Sequence, residues 1–384
     1  MSLGLPLRIL DLTRLLPGAV CTLFLAEMGA DVIKIEDPQG GDYARWMPPL
    51  ADDGQGIFFQ ASNRRKRSVV INLKTTEGQG VLHRLVESAD VLVESYRPGV
   101  TARLKCDYDT LKTINPRLVY CSLSGWGQTG PYADVSGHDL NYVALNGVLG
   151  STRTPQPLGG QIADIGGAYA GAMGILAALL KRTTTGTGSY LDISLFEGGM
   201  PFGMYQWVES VATGIPGGQG ALTGGMAFYD VYLSSDQQPM TLAAIEPKFW
   251  QNFCTAINRP DWLPLHNELS QQDRLKQEMQ TLFATQTAAE WDALLRHADC
   301  CFTLITPPTQ LADDPHIQAR GMAGLDENGI PWMRSPVRLG DDSPLGYAPG
   351  YGSHTRAVLT EAGYSDGEIA TFEQSGIVRQ GIIS

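Results

Sequence analysis

Apolar and polar positions fall into blocks along the first hundred residues. An apolar run, Leu7 to Leu12, precedes a helical stretch, Ala19 to Met28, stopped by Gly29, and a second apolar run follows at Asp31 to Glu36. Strand, helix and strand in that order make a βαβ unit. The pattern repeats with Ser68 to Leu73 as strand, Gly78 to Glu87 as helix, Asp90 to Glu94 as strand and, after a helical segment, Arg117 to Leu123 as strand. Alternation of this kind predicts a parallel sheet covered on both faces. A long helix from about Gly166 to Arg182, a strand Tyr190 to Leu195 and a helix Phe196 to Ala212 continue the α/β order.

Six glycines and a proline between Gly214 and Gly225 break this composition. They read as a linker or mobile loop, and so as a domain boundary. Beyond it, Tyr229 to Leu233 and Met240 to Ile245 read as an antiparallel pair. Helices follow near Pro247 to Ile257, Ser270 to Phe283 and Ala288 to Ala298, which together make a small α+β domain. From Cys301 the chain is rich in proline, glycine and turns, and it ends in a helix, Ser365 to Gln374.

Charge and composition narrow the function. A net charge of −12 lacks the basic face that nucleic-acid phosphates require, so an anionic ligand must be met by a local basic cluster. Cys21, Cys106, Cys121 and Cys254 are isolated and Cys300 and Cys301 are adjacent; these spacings predict reduced thiols and no metal site. The N-terminus lacks the pattern of a secretory signal, and a cytoplasmic location is expected. The most apolar stretch, Ile165 to Leu180, is short, rich in glycine and alanine, and ended by Lys181 and Arg182. It is expected to be a buried core helix and not a membrane span.

The loop after the first strand, Thr13-Arg14-Leu15-Leu16-Pro17-Gly18-Ala19, lacks the G-x-G-x-x-G spacing of a dinucleotide site, so no nicotinamide cofactor is expected. The run Asn63-Arg64-Arg65-Lys66-Arg67-Ser68 concentrates positive charge as a phosphate-rich ligand would require; a solvated surface run accounts for it equally well. Arg97 follows the strand Asp90 to Glu94, where ligands bind in open parallel sheets, or it caps a turn. His138, in Ser-Gly-His-Asp-Leu-Asn-Tyr, stands at a helix start whose dipole favours a neutral imidazole; a structural histidine is the plainer reading. Asp164, among apolar neighbours, reads either as a reactive carboxyl or as a helix N-cap. Glu246, between the strand Thr241 to Ile245 and Pro247, reads either as functional or as a helix-start charge.

Read in order, Val32-Ile33-Lys34-Ile35-Glu36, Lys66-Arg67-Ser68, Ile71-Asn72-Leu73-Lys74, Ala89-Asp90-Val91-Leu92-Val93-Glu94, Arg97-Pro98-Gly99-Val100 and Gly125-Trp126-Gly127-Gln128-Thr129-Gly130-Pro131 resemble the class III CoA-transferase superfamily. Formyl-CoA transferase, carnitine CoA-transferase and alpha-methylacyl-CoA racemase belong to it, and the likeness spans residues 5 to 250. Within it, Gly137-His138-Asp139-Leu140-Asn141-Tyr142 looks like the racemase histidine motif. Ala163-Asp164-Ile165-Gly166-Gly167 looks like its aspartate motif, and Ala244-Ile245-Glu246-Pro247 like its glutamate motif.

The resemblance implies a Rossmann-like α/β large domain built from residues 1–213 and a return segment, 311–384, with 214–224 as linker and 225–310 as a small α+β domain. It implies an interlocked homodimer whose active site takes His138 and Asp164 from one subunit and Glu246 from the other. It places an acyl-CoA substrate, with no separate cofactor, on Ile71, Asn72, Leu73, Lys74, Arg97, Gly137, Asp139, Asn141 and Tyr142. Racemases commonly carry an arginine where this chain has Asp37 before Pro38; Arg45 or the basic run near Arg65 is expected to replace it. His138 and Glu246 favour a 2-methylacyl-CoA racemase, with Glu246 orienting His138. The transferase alternative makes Asp164 a covalent nucleophile, and a non-catalytic acyl-CoA-binding protein is the third reading. Backbone N–H groups near Asp164 and Ile165 are expected to face the enolate oxygen. Met200, Phe202, Met204 and Trp207 are expected near the acyl chain.

Overall fold

Six parallel strands form the centre of the chain: β1 (Arg8–Leu12), β2 (Asp31–Glu36), β3 (Lys66–Ile71), β4 (Val91–Glu94), β5 (Val119–Ser124) and β6 (Ser189–Ser194). The structure is a computed structural model describing residues 7–337 and 345–381. A seventh strand, Val378–Arg379, pairs antiparallel with β3, giving the spatial order Val378–Arg379, β3, β2, β1, β4, β5, β6.

Alternate residues of each strand point to opposite faces. Leu10, Leu12, Ile33, Val69 and Leu92 pack on one side with Leu82, Leu85 and Leu111. Ile9, Val32, Val91, Val93 and Val119 pack on the other with Leu25, Ala172 and Ile175. Both faces are therefore apolar, which is why the strands read as blocks in the sequence and not as alternating positions. Helix Ile162–Thr185 is the one described helix long and apolar enough to cross a membrane, and half of its most apolar window is buried. Here it serves as a core helix against the sheet.

The strand order reverses at β1: β2 and β3 lie to one side, β4 to β6 to the other. In such sheets a crevice opens between the loops that leave the two diverging strands. Polar residues of β1, β2 and β3, with residues from the loops that follow β1 and β2, form a buried network. Asp11 accepts from the Thr13 and Thr22 hydroxyls, each at 2.6 Å, and pairs with Lys66 at 3.2 Å. Lys34 pairs with Asp42 at 2.9 Å and donates to the Thr13 carbonyl at 2.9 Å. Asp42 in turn accepts the backbone N–H groups of Leu15 and Ala44. Asp11, Lys34, Lys66 and Asp42 are all essentially inaccessible to solvent.

The chain divides into two compact units, residues 1–143, 160–199 and 312–384, and residues 144–159 and 200–311. In the second, β7 (Tyr229–Leu233), β8 (Pro239–Ala243) and β9 (Phe302–Leu304) form an antiparallel sheet. Trp250, Trp262, Trp291, Phe253 and Phe283 pack in its core. The sequence anticipates the first two of these strands but not β9, which is three residues long. The segment 200–213, placed with the first domain from composition, belongs to the second unit.

The glycine-rich stretch is packed and not a free linker. A Cβ on Gly217 would lie 1.9 Å from the Gly150 carbonyl, and one on Gly218 would lie 2.2 Å from the Arg153 Cα. The helix expected over Phe196 to Ala212 is broken into Leu195–Gly199, a 3₁₀ turn Met200–Gly203 and Met204–Thr213. Pro201, which has no N–H to donate, stands in the break.

Burial alone would raise the Asp11 carboxyl, but Lys34, Lys66 and the two threonine hydroxyls outweigh it and hold it at about 2. Its folded value lies below its unfolded value of 3.8, so its contribution to stability is complete above the unfolded value and is lost as pH falls towards 2. Asp11→Asn leaves buried lysine charge uncompensated and is expected to cost about 3–5 kcal/mol at pH 7. Urea midpoints for the two proteins test this, and the difference between them should shrink on acidification through the same window.

Candidate active site

The loop leaving β1 opens the crevice. Leu15 adopts φ 60°, a left-handed conformation costly for a branched side chain, and Asp42 holds it there by accepting the Leu15 N–H at 3.1 Å. The loop leaving β4 faces it and carries Ser95, Tyr96 and Arg97; the Ser95 hydroxyl accepts the Arg14 N–H at 3.2 Å.

The loop leaving β5 supplies the next wall. Glu94, Ser122 and Asp192 stand in register on β4, β5 and β6. The Gln128 side chain donates to Ser122 at 2.7 Å and its backbone N–H donates to Asp192 at 3.1 Å. This ladder fixes the segment carrying Trp126, whose ring meets Tyr132, Tyr142 and Phe196 with centroids within 5.5 Å. Tyr142 donates its hydroxyl to the Gly137 carbonyl at 2.7 Å. A Cβ on Gly125 would fall 2.2 Å from that hydroxyl oxygen, so only glycine fits there.

His138 precedes the helix Asp139–Leu145, and its backbone N–H donates to the Asn141 side chain at 3.0 Å. Asp139 reaches across to the start of helix Ile162–Thr185 and accepts the N–H groups of Ala163 at 2.7 Å and Asp164 at 3.0 Å. Asp164 is therefore not the cap itself but lies in the first turn, after Gln161. Burial first, and then the Asp139 charge, raise its carboxyl to about 7. His138 and Asp164 line one cavity of about 560 Å³, together with Arg14, Leu15, Tyr96, Arg97, Trp126, Gly137 and Tyr142. Arg97 donates to the Ser136 hydroxyl at 2.9 Å in its wall.

A second cavity of about 530 Å³ is lined by Ile71, Asn72, Leu73 and Lys74 of the motif after β3, and by Asp37, Tyr43, Arg103 and Arg14. Arg14 and Tyr96 line both cavities. Among the described residues no group of His, Cys, Asp and Glu is arranged to hold a metal ion. Glu246 lies in the second unit, exposed at the N-cap of helix Pro247–Ala256 with no side-chain capping bond.

Several expectations from the sequence are corrected by this geometry. Three of the four cations in the basic run are paired internally: Arg64 with Glu27, Lys66 with Asp11, and Arg67 with Asp31 and Glu361. Arg45 is fully buried against Glu36 at 2.7 Å, so it does not replace the arginine missing at position 37. The N–H groups of Asp164 and Ile165, expected to face an enolate, already donate to Asp139 and the Gln161 carbonyl. Asp139 and Asn141 turn their side chains to backbone amides. What the sequence reading missed is Arg14, which stood in the first loop but was weighed only for its lack of glycines. It also missed Glu94, whose carboxyl burial pushes up to about 7 against the Ser122 and Tyr96 hydrogen bonds.

The model of CoA-transferase family III matches residues 6–355. The chain belongs to that family. Among family III relatives, it is 32% identical to the alpha-methylacyl-CoA racemase of Homo sapiens, covering 96% of each chain. It is 33% identical to the acetyl-CoA:oxalate CoA-transferase of Acetobacter aceti, covering 88% of this chain and 90% of that one. Its fold superposes on a CAIB/BAIF family protein from Brucella suis with a TM-score of 0.81 at 30% identity, over 93% of this chain and 98% of that one. Relatives named as racemase and as transferase stand at the same distance, so family membership makes the chain an acyl-CoA enzyme without choosing between the two.

Asp139→Asn keeps the oxygen that caps the Ala163 and Asp164 amides but removes the charge. The Asp164 carboxyl should therefore titrate below its wild-type value while staying above that of a free aspartate, because burial remains. Carbon-detected NMR of the carboxyl measures it; an unchanged midpoint would show that Asp139 does not act through its charge.

Proposed function

We propose that the protein interconverts the epimers of a 2-methyl-branched acyl-CoA, with His138 and Asp164 as the two acid/base groups. The observation that carries this reading is that the His138 imidazole shares the wall of one cavity with the Asp164 carboxyl, which burial and the Asp139 charge raise to about 7. General acid/base catalysis is most effective when the group's pKa lies near the working pH, and a carboxyl at about 7 meets that condition. An aspartate nucleophile gains nothing from being half protonated.

In the forward direction one of the pair, unprotonated, takes the proton from the carbon next to the thioester, leaving an enolate. The other, protonated, returns a proton to the opposite face. The product has the composition of the substrate and the inverted centre, and the protonation states of the two groups are exchanged. Glu246 of the partner subunit accepts a hydrogen bond from His138, fixes its tautomer and stabilises its imidazolium form.

The homodimer this requires is supported by exposed apolar surface. Leu180 is 72% exposed on helix Ile162–Thr185, and Trp207 is 68% exposed on helix Met204–Thr213; a second copy would cover such surface. Met200, Phe202, Met204 and Trp207 then border the acyl chain. A cytoplasmic location agrees with the unpaired state of all six cysteines.

The likeness to the acetyl-CoA:oxalate CoA-transferase favours one alternative, in which Asp164 carries the acyl group as a mixed anhydride to an acceptor acid. His138→Ala and Asp164→Ala should each lower epimerisation by about 10² to 10⁴ with CoA binding retained. Near-normal epimerisation in either variant contradicts the assignment. Inactivation of the wild type by hydroxylamine only during turnover, at Asp164, would instead support the transferase.

A further inference from the structure

The acyl-CoA reading requires one ligand to occupy both cavities, with the nucleotide in one and the thioester in the other, and the inference that follows rests on that reading. The cavity with His138 and Asp164 holds the reactive groups. The cavity with Asn72, Lys74 and Arg103 offers amide and cationic groups suited to a nucleotide. Between the two ends of such a ligand lies its diphosphate, and the residues common to both linings are Arg14 and Tyr96. Arg14 is the cation at that junction.

Its guanidinium is held from the side. It forms an ion pair with Asp37 and donates to the Tyr43 hydroxyl at 2.9 Å, with the Tyr43 ring centroid 4.9 Å away. A guanidinium carries five N–H donors in a rigid fork, and these contacts occupy two of them. Its backbone is fixed as well, through Ser95, and the next residue is the strained Leu15. Arg45 and Lys66, two of the cations first expected to meet phosphate, are buried in ion pairs, whereas Arg14 keeps part of its side chain open to solvent.

We propose that Arg14 grips the diphosphate of the acyl-CoA where the two cavities meet, and that Asp37 and Tyr43 are positioning residues that aim it. Asp37 is not a lost contact in this arrangement. Its carboxylate, unsuited to phosphate, orients the arginine that is suited to it.

The test compares a 2-methylacyl-CoA with the same acyl group on pantetheine, which lacks the nucleotide and diphosphate. Arg14→Ala should raise KM for the CoA ester about tenfold or more, the loss expected of a charge-assisted hydrogen bond, with kcat within about threefold. KM for the pantetheine ester should not change. Arg14→Lys, which keeps the charge and most of the packing, should fall between wild type and alanine, and guards against a folding defect in the alanine variant. Equal loss for both esters, or no loss for either, would overturn the proposal. Wild-type protein inert towards both esters would overturn the racemase reading instead. Calorimetric CoA binding then still decides on Arg14: a Kd weakened in Arg14→Ala supports the grip, and an unchanged Kd overturns it.

Discussion

Two lysines placed without solvent access among the central strands would each be costly if unpaired, and a polar network running across β1, β2 and β3 is arranged around that constraint. Lys66 is met by Asp11, Asn63 and the Ala19 carbonyl; Lys34 is met by Asp42 and the Thr13 carbonyl. Buried ion pairs contribute little net stability, because desolvation offsets the attraction, but removing one partner is expensive. Their consequence here is geometric. Asp42 uses its remaining capacity to hold Leu15 in a left-handed conformation, and that conformation turns the chain from β1 into helix Leu15–Glu27 with Arg14 over the crevice. The loop that carries Arg14 is shaped by the buried charges that pack against it.

Much of the fold was legible because the large sheet is covered on both faces. That requirement writes apolar blocks into β1 to β5, and the blocks can be read from sequence with boundaries shifted by about two residues, as at Lys66–Ile71. What escaped were elements with too few residues to carry a period, β9 and the strand Val378–Arg379, and a helix broken by Pro201. The glycines of 214–225 misled for a different reason. Glycine marks both flexibility and close backbone approach, and at Gly217 and Gly218 it marks the latter.

The sequence offered candidates for the site and not their surroundings. His138 and Asp164 stood out by motif, and they share a cavity. The basic run 63–67 stood out just as strongly by charge, yet the partners of Arg64, Lys66 and Arg67, which are Glu27, Asp11, Asp31 and Glu361, are distant in sequence, so only the fold reveals that these three are paired internally. Arg14 shows the converse: one cation in an apolar loop, unremarkable in sequence, stands at the junction of two cavities. Asp139 carries a further role that its motif does not show: its side chain caps the helix bearing Asp164 and raises that carboxyl.

The central claim is that this cavity moves a proton at the carbon next to the thioester. One epimer of a 2-methylacyl-CoA, incubated with the protein in deuterium oxide, tests it most directly. The account predicts deuterium at that carbon together with the appearance of the other epimer, both abolished in His138→Ala. Retention of the original proton and configuration, with CoA transferred to an added carboxylic acid, would contradict it and make Asp164 a nucleophile.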